Sequence, residues 1–166
     1  MIVFSYITRM HKVCSIFILD ISYMISLLKD LLALVIACMV TLFVLVFVLR
    51  LPQYITQKPS IVNEYYFKGF LSNVPLDLFF IFVYLQIALM VAKLLQVKSE
   101  TSIVLIVAIV TFFVTSGFCL YFQSYPMTKS FFSRWFHHVV GYSSAIYDVI
   151  LLVVTYMSYR FIQKTT

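Results

Sequence analysis

Residues 101–123 read TSIVLIVAIVTFFVTSGFCLYFQ, twenty-three positions without one charged side chain. A helix of that length rises about 35 Å at 1.5 Å per residue. The hydrocarbon core of a bilayer is about 30 Å thick, and roughly twenty apolar residues cross it. A spanning strand needs only about ten residues with strict alternation, and the stretch does not alternate. The stretch therefore reads as a transmembrane helix. Lipid leaves exposed backbone groups unsatisfied, so partner segments in the same membrane must be helices too.

Three further runs share its character. Leu31 to Leu49 carries no charge and is closed by Arg50 and Pro52. The run from Pro75 to Val97 has Asp77 in its first turn and Lys93 near its end. The run from Val139 to Phe161 encloses Asp148. The sequence thus predicts an all-α protein: a four-helix transmembrane bundle with an N-terminal interfacial helix. Its spans are expected at about 31–50, 75–97, 101–123 and 139–161. Composition agrees, with 63% hydrophobic and 11% charged residues and a mean hydropathy of +1.04. Soluble domains are roughly a quarter charged. A disordered chain, a solvated nucleic-acid-binding face and a secreted disulfide scaffold are all disfavoured. The length of 166 residues allows one transmembrane domain, 31–166, after a separate segment, 1–30.

Chemistry marks the helix ends. Asn73 is expected to cap the second span, with Pro75 and Asp77 in its first turn, where a missing N–H is harmless and an acid meets the positive dipole end. Ser99 or Thr101 is expected to cap the third, beside Glu100. Arg160 and Lys164 suit the C-terminal end of the fourth. In the N-terminal segment, Ser15, Ser22, Ser26 and Lys29 fall within about 40° of one another on a helical wheel. Asp20 lies off that stripe. The apolar stretch 13–28 is short for a span, so it is expected to lie along the membrane surface.

Twelve Lys and Arg stand against six Asp and Glu. Nearly all the basic residues flank apolar runs, which suits anionic headgroups and control of topology better than nucleic acid. With four spans, seven basic residues fall on the side of both termini and five on the other. That bias favours cytosolic termini. Cys14, Cys38 and Cys119 lie inside apolar segments, with no CxxC and no zinc spacing, and read as small buried side chains.

Asp148 is the polar residue that most needs a partner, because an acid at mid-helix costs about 2.5–3.5 kcal/mol on insertion scales. Counting along the expected spans puts it roughly 14 Å from the end of its helix. Gln86, Thr111, Thr115 and Thr41 come out near the same depth on the other three. An intramembrane polar layer of Asp148, Gln86, Thr111, Thr115 and Thr41 is therefore expected, with Ser144 and Thr155 on the Asp148 face. Such a layer fixes helix register. Its other reading is a proton or ion site, or a catalytic acid. The segment 131–138 gathers Arg134, Trp135, His137 and His138, with Lys129 just before it. These five are expected as interfacial anchors, the aromatic ring at headgroup level and the cations on lipid phosphate. Adjacent histidines point about 100° apart on a helix, which makes a poor metal pair. The loop 51–74 lies on the same side and could share a docking surface with this segment. No catalytic, nucleotide or metal motif is present, and no cofactor is expected.

The stretch Asn73-Val74-Pro75-Leu76-Asp77-Leu78-Phe79-Phe80, and the segment from Phe131 through Gly141 and Tyr142 to Asp148-Val149-Ile150, resemble uncharacterised multi-span membrane proteins of large nucleocytoplasmic DNA viruses. The resemblance covers roughly the last hundred residues. It implies residence in an internal virion membrane and no enzymatic activity. The expected role is structural: a membrane component whose partners are lipids and other membrane or capsid proteins, not nucleic acid. The first alternative is a small proton- or ion-coupled transporter or channel subunit using Asp148. The second is a membrane-embedded lipid-modifying enzyme.

Overall fold

The computed structural model describes residues 24–25, 28–139 and 142–165. In chain order these form α1 (Leu28–Val48), α2 (Leu51–Thr56), α3 (Pro59–Asn63), a π-helical turn over Glu64–Lys68, α4 (Phe70–Leu94), α5 (Glu100–Gln123), α6 (Phe131–His138) and α7 (Ser143–Thr165). No strand occurs among the described residues. Four helices, α1, α4, α5 and α7, are long and apolar enough to cross a membrane. The chain is a multi-pass, all-α membrane protein. The expected surface helix over 13–28 lies outside the described residues.

Two compact units divide the chain, 1–33 and 34–166. In the first, Leu28 to Leu32 are exposed helix. In the second, α5 packs against α4, α6 and α7, and α2 lies on α7. The reason is legible in α5 itself. Val107, Thr111, Thr115 and Cys119 recur every four residues and are all buried. Small side chains on one helix face let neighbouring backbones come close where no hydrophobic effect drives association. Around that face the core takes Cys38, Leu42 and Val46 from α1, Ile81, Leu85 and Ala88 from α4, and Leu151, Leu152 and Tyr156 from α7.

Two spans begin elsewhere than expected. The helix expected from Pro75 starts five residues earlier, at Phe70, with Gly69 as its N-cap and Pro75 inside it. Asn73 does not cap it; its Nδ2 donates to the Tyr65 carbonyl at 3.1 Å. A Cβ on Gly69 would stand 2.3 Å from that Nδ2, so a larger residue there would push the Asn73 side chain off the Tyr65 carbonyl. The helix expected from Val139 starts at Ser143, because Val139 leaves the helical region at φ −89°, ψ 74° and closes the separate α6. The loop 51–74 is not a loop but α2, α3, the π turn and the start of α4.

Candidate functional site

The π turn sets the site. It carries Tyr65 and Tyr66 in succession, both buried, and sends them to different helices. The Tyr65 hydroxyl donates to Asp77 of α4. The Tyr66 and Tyr147 hydroxyls share a hydrogen bond of 2.7 Å, which ties the turn to α7. Burial pushes both Tyr65 and Tyr66 well above the ordinary phenol range, so both hydroxyls stay neutral. π-Helical irregularities often mark functional sites, because they re-aim side chains that a regular helix would space evenly.

Above the turn lies α6. Ser130 caps it, its side chain accepting from the Ser133 N–H. Its inner face, Trp135 and Phe136, is buried, while Lys129 and His138 on the outer side are exposed. Tyr65 stacks on Phe131 with centroids 4.5 Å apart, and its ring lies 5.7 Å from that of Trp135. Arg134 grips Glu64 with both ends of its guanidinium, Nη1 reaching Oε2 at 2.9 Å and Nη2 reaching Oε1. That guanidinium holds the Glu64 carboxyl below its usual range, and the carboxylate in turn raises Arg134. The segments 59–68 and 131–138 are thus joined by rings and by an ion pair.

Beneath α6 is a partly open cavity of about 160 Å³. Asp77 from α4 and Asp148 from α7 both line it, with Tyr65, Tyr66 and Tyr84. Its walls are rings: Phe80, Phe118, Phe122, Phe131, Phe132, Trp135 and Phe136. Asp148 Oδ2 accepts from Thr115 Oγ1 at 2.8 Å. Asp77 Oδ2 is buried and meets no hydrogen-bond donor. Among the described residues the salt bridges are Arg134–Glu64 and Arg160–Glu100, so neither cavity acid has a basic partner. Counted at 1.5 Å per residue, Asp77 sits about 10 Å and Asp148 about 8 Å from the starts of their helices. Both starts are on the same side of the bundle, so both acids belong to the outer third of the span.

The expected polar layer resolves differently. Its hydrogen-bonded pair is Asp148 and Thr115. Gln86 is exposed on α4 and does not join. Thr41, Thr111 and Thr155 are buried, and their hydroxyls have no hydrogen-bond partner. Asp148 is shallower than the expected 14 Å because α7 begins at Ser143. Of the five expected anchors, Trp135 turns inward and becomes a cavity wall. Arg134 is held by Glu64 rather than left free for phosphate. His137 sets Nδ1 2.6 Å from the Ser133 carbonyl and Nε2 3.1 Å from that of Tyr125. Sequence reading assigned Asp77 to the helix dipole. The signal that it belongs to a site was its position in an apolar run at the same membrane side as Asp148. The tyrosine pair 65–66 gave no such signal.

Two carboxyls in an apolar cavity must be neutralised, by protons or by a cation from outside, since an uncompensated charge there is costly. Among the described residues no group of three His, Cys, Asp or Glu side chains could hold a metal ion. No protein-family model, curated protein or solved structure matches the chain.

Proposed function

We propose that this membrane protein accepts a cation in a one-sided pocket near one membrane face, and works as a small proton- or ion-coupled carrier or channel subunit. One observation supports this above the others: Asp77 and Asp148, from different helices, line one cavity with no basic partner among the described residues. A layer that only fixed register would bury its acid among donors and leave no cavity beside it. A lipid-modifying enzyme would bring a catalytic histidine to the acids, whereas His137 is bound to backbone carbonyls. The Lys and Arg bias puts the pocket on the non-cytosolic side.

The test is reconstitution into liposomes with a pH dye inside and a cation gradient across the membrane. Wild type is expected to carry cation-dependent flux. Asp148→Asn and Asp77→Asn each abolish it while melting within a few degrees of wild type. Flux that survives both substitutions, or a wild type that shows neither flux nor cation binding, overturns the reading.

A second reading is a structural component that contacts other proteins. It is supported by Tyr54, Tyr125 and Met127, large side chains exposed in the two segments on the pocket side. The resemblance to viral membrane proteins implies a virion's internal membrane as its setting. Cross-linking from Tyr54 or Met127 to a neighbouring protein in the intact membrane tests it; a chain that cross-links only to lipid does not fit.

A further inference from the structure

The cavity's walls say what kind of cation suits it. A hard ion such as sodium or calcium exchanges its water for a shell of oxygens, six to eight of them for calcium. Here the oxygens are few, and two are already engaged: Tyr65 donates to Asp77 and Thr115 donates to Asp148. Most of the remaining surface is ring carbon. Ring faces attract cations most strongly when the cation is weakly hydrated, and recognition of quaternary ammonium by aromatic cages follows from this. Size agrees. A dry cavity of roughly 150 Å³ takes benzene, and this one measures about 160 Å³. A trimethylammonium or ethylammonium head is no larger than benzene.

We infer that the pocket takes an alkylammonium group, free or carried on a lipid headgroup, held between Asp77, Asp148 and the rings around them. This rests on the cation-accepting reading above and names the cation. The ammonium supplies the positive counter-charge that the two carboxyls lack among the described residues. Phe80, Phe131 and Phe132 are only half-buried, so a headgroup can reach the cavity where α4 and α6 meet.

The chain contains one tryptophan, Trp135, and it lines the cavity. Its fluorescence therefore reports occupancy without a label. The protein is placed in nanodiscs of phosphatidylglycerol, which carries no amine. Choline is titrated against its uncharged isostere 3,3-dimethyl-1-butanol, and against sodium and potassium chloride at matched ionic strength. Choline is expected to change the Trp135 emission saturably, with the isostere weaker by on the order of tenfold or more. Asp148→Asn and Asp77→Asn each weaken choline by on the order of thirtyfold. The comparison of choline with its isostere is made on wild type, so it stands even if a variant fails to fold. In nanodiscs of phosphatidylcholine, loss of the choline response identifies the lipid headgroup as the occupant, and an unchanged response identifies the free amine. A response to sodium, potassium or protons with none to choline overturns the inference and leaves the cation reading intact. A response to the isostere equal to that of choline, or no response to any cation, overturns both.

Discussion

Thr111 and Thr115 stand one turn apart on the same buried face of α5, and their hydroxyls have opposite circumstances. Thr115 donates to Asp148, whereas Thr111 is fully buried with no partner. Valine matches threonine in shape but removes the hydroxyl. Thr115→Val should cost about 0.6–1.7 kcal/mol, the range found for hydrogen bonds inside membrane bundles. Thr111→Val should be neutral or stabilising, since it removes a buried polar atom that nothing satisfies. Equilibrium unfolding in mixed micelles measures both, and equal costs would contradict the assignment. At Glu64 the relevant variable is pH. Its carboxyl sits below the usual 4.5 because Arg134 grips it. A lowered folded value means the pair's contribution is whole above the unfolded value of 4.5 and drains away as pH falls from there through the folded value. The melting temperature of wild type should therefore fall more steeply than that of Glu64→Gln between about pH 6 and about pH 3. Parallel curves would show that the pair contributes nothing.

At the scale of elements, α5 was legible almost to the residue, because a long charge-free run bounded by Glu100 and Gln123 admits one reading. The start of α4 was not. Asn73 followed by Pro75 and Asp77 is a good helix-start signal, yet the Asn73 side chain is used by the Tyr65 carbonyl and the helix reaches back to Gly69. A local signal lost to a contact across the turn. The end of α4 shows the converse. The N–H groups of Gln96 and Val97 donate to Lys93 and Ala92 at 3.0 and 2.9 Å, the paired bonds that close a helix through a left-handed residue. That residue is Gln96, at φ 55°. Left-handed backbone costs a residue with a Cβ roughly 1–2 kcal/mol, and glycine escapes that cost. Gln96→Gly should raise stability by about 1 kcal/mol in the same unfolding assay, after glycine's greater freedom in the unfolded chain is offset. A loss of stability would mean that the Gln96 side chain has a role of its own.

At the scale of the whole molecule, four spans and their alternation were readable from apolar length, while the pocket was not. Its two acids are 71 positions apart in the sequence, and its roof comes from segments that reading along the chain assigns to a loop and to a headgroup belt. Periodicity describes one helix at a time. It carries no information about which faces of different helices meet. The alternation itself makes a further prediction. In a Cys14→Ser background, where Cys38 and Cys119 are buried, cysteines at Ser60 and Ser130 should react with an impermeant maleimide from one side. One at Lys98 should react from the other. All three positions are exposed. Labelling of 60 and 98 from the same side would refute the four-span arrangement.

The central place of α5 also bears on how the protein is made. Synthesis delivers α4 and α5 before α7, so the hairpin they form enters the bilayer while α7 does not yet exist. Until α7 arrives, the stripe of Thr111, Thr115 and Cys119 has lipid where Ser144 and Asp148 will be. A ribosome stalled before Ser143 leaves a chain with spans enough to reside in the membrane and a polar seam facing its neighbours. Docking of α7 is therefore the step that closes this seam, giving Thr115 and Cys119 their partners Asp148 and Ser144.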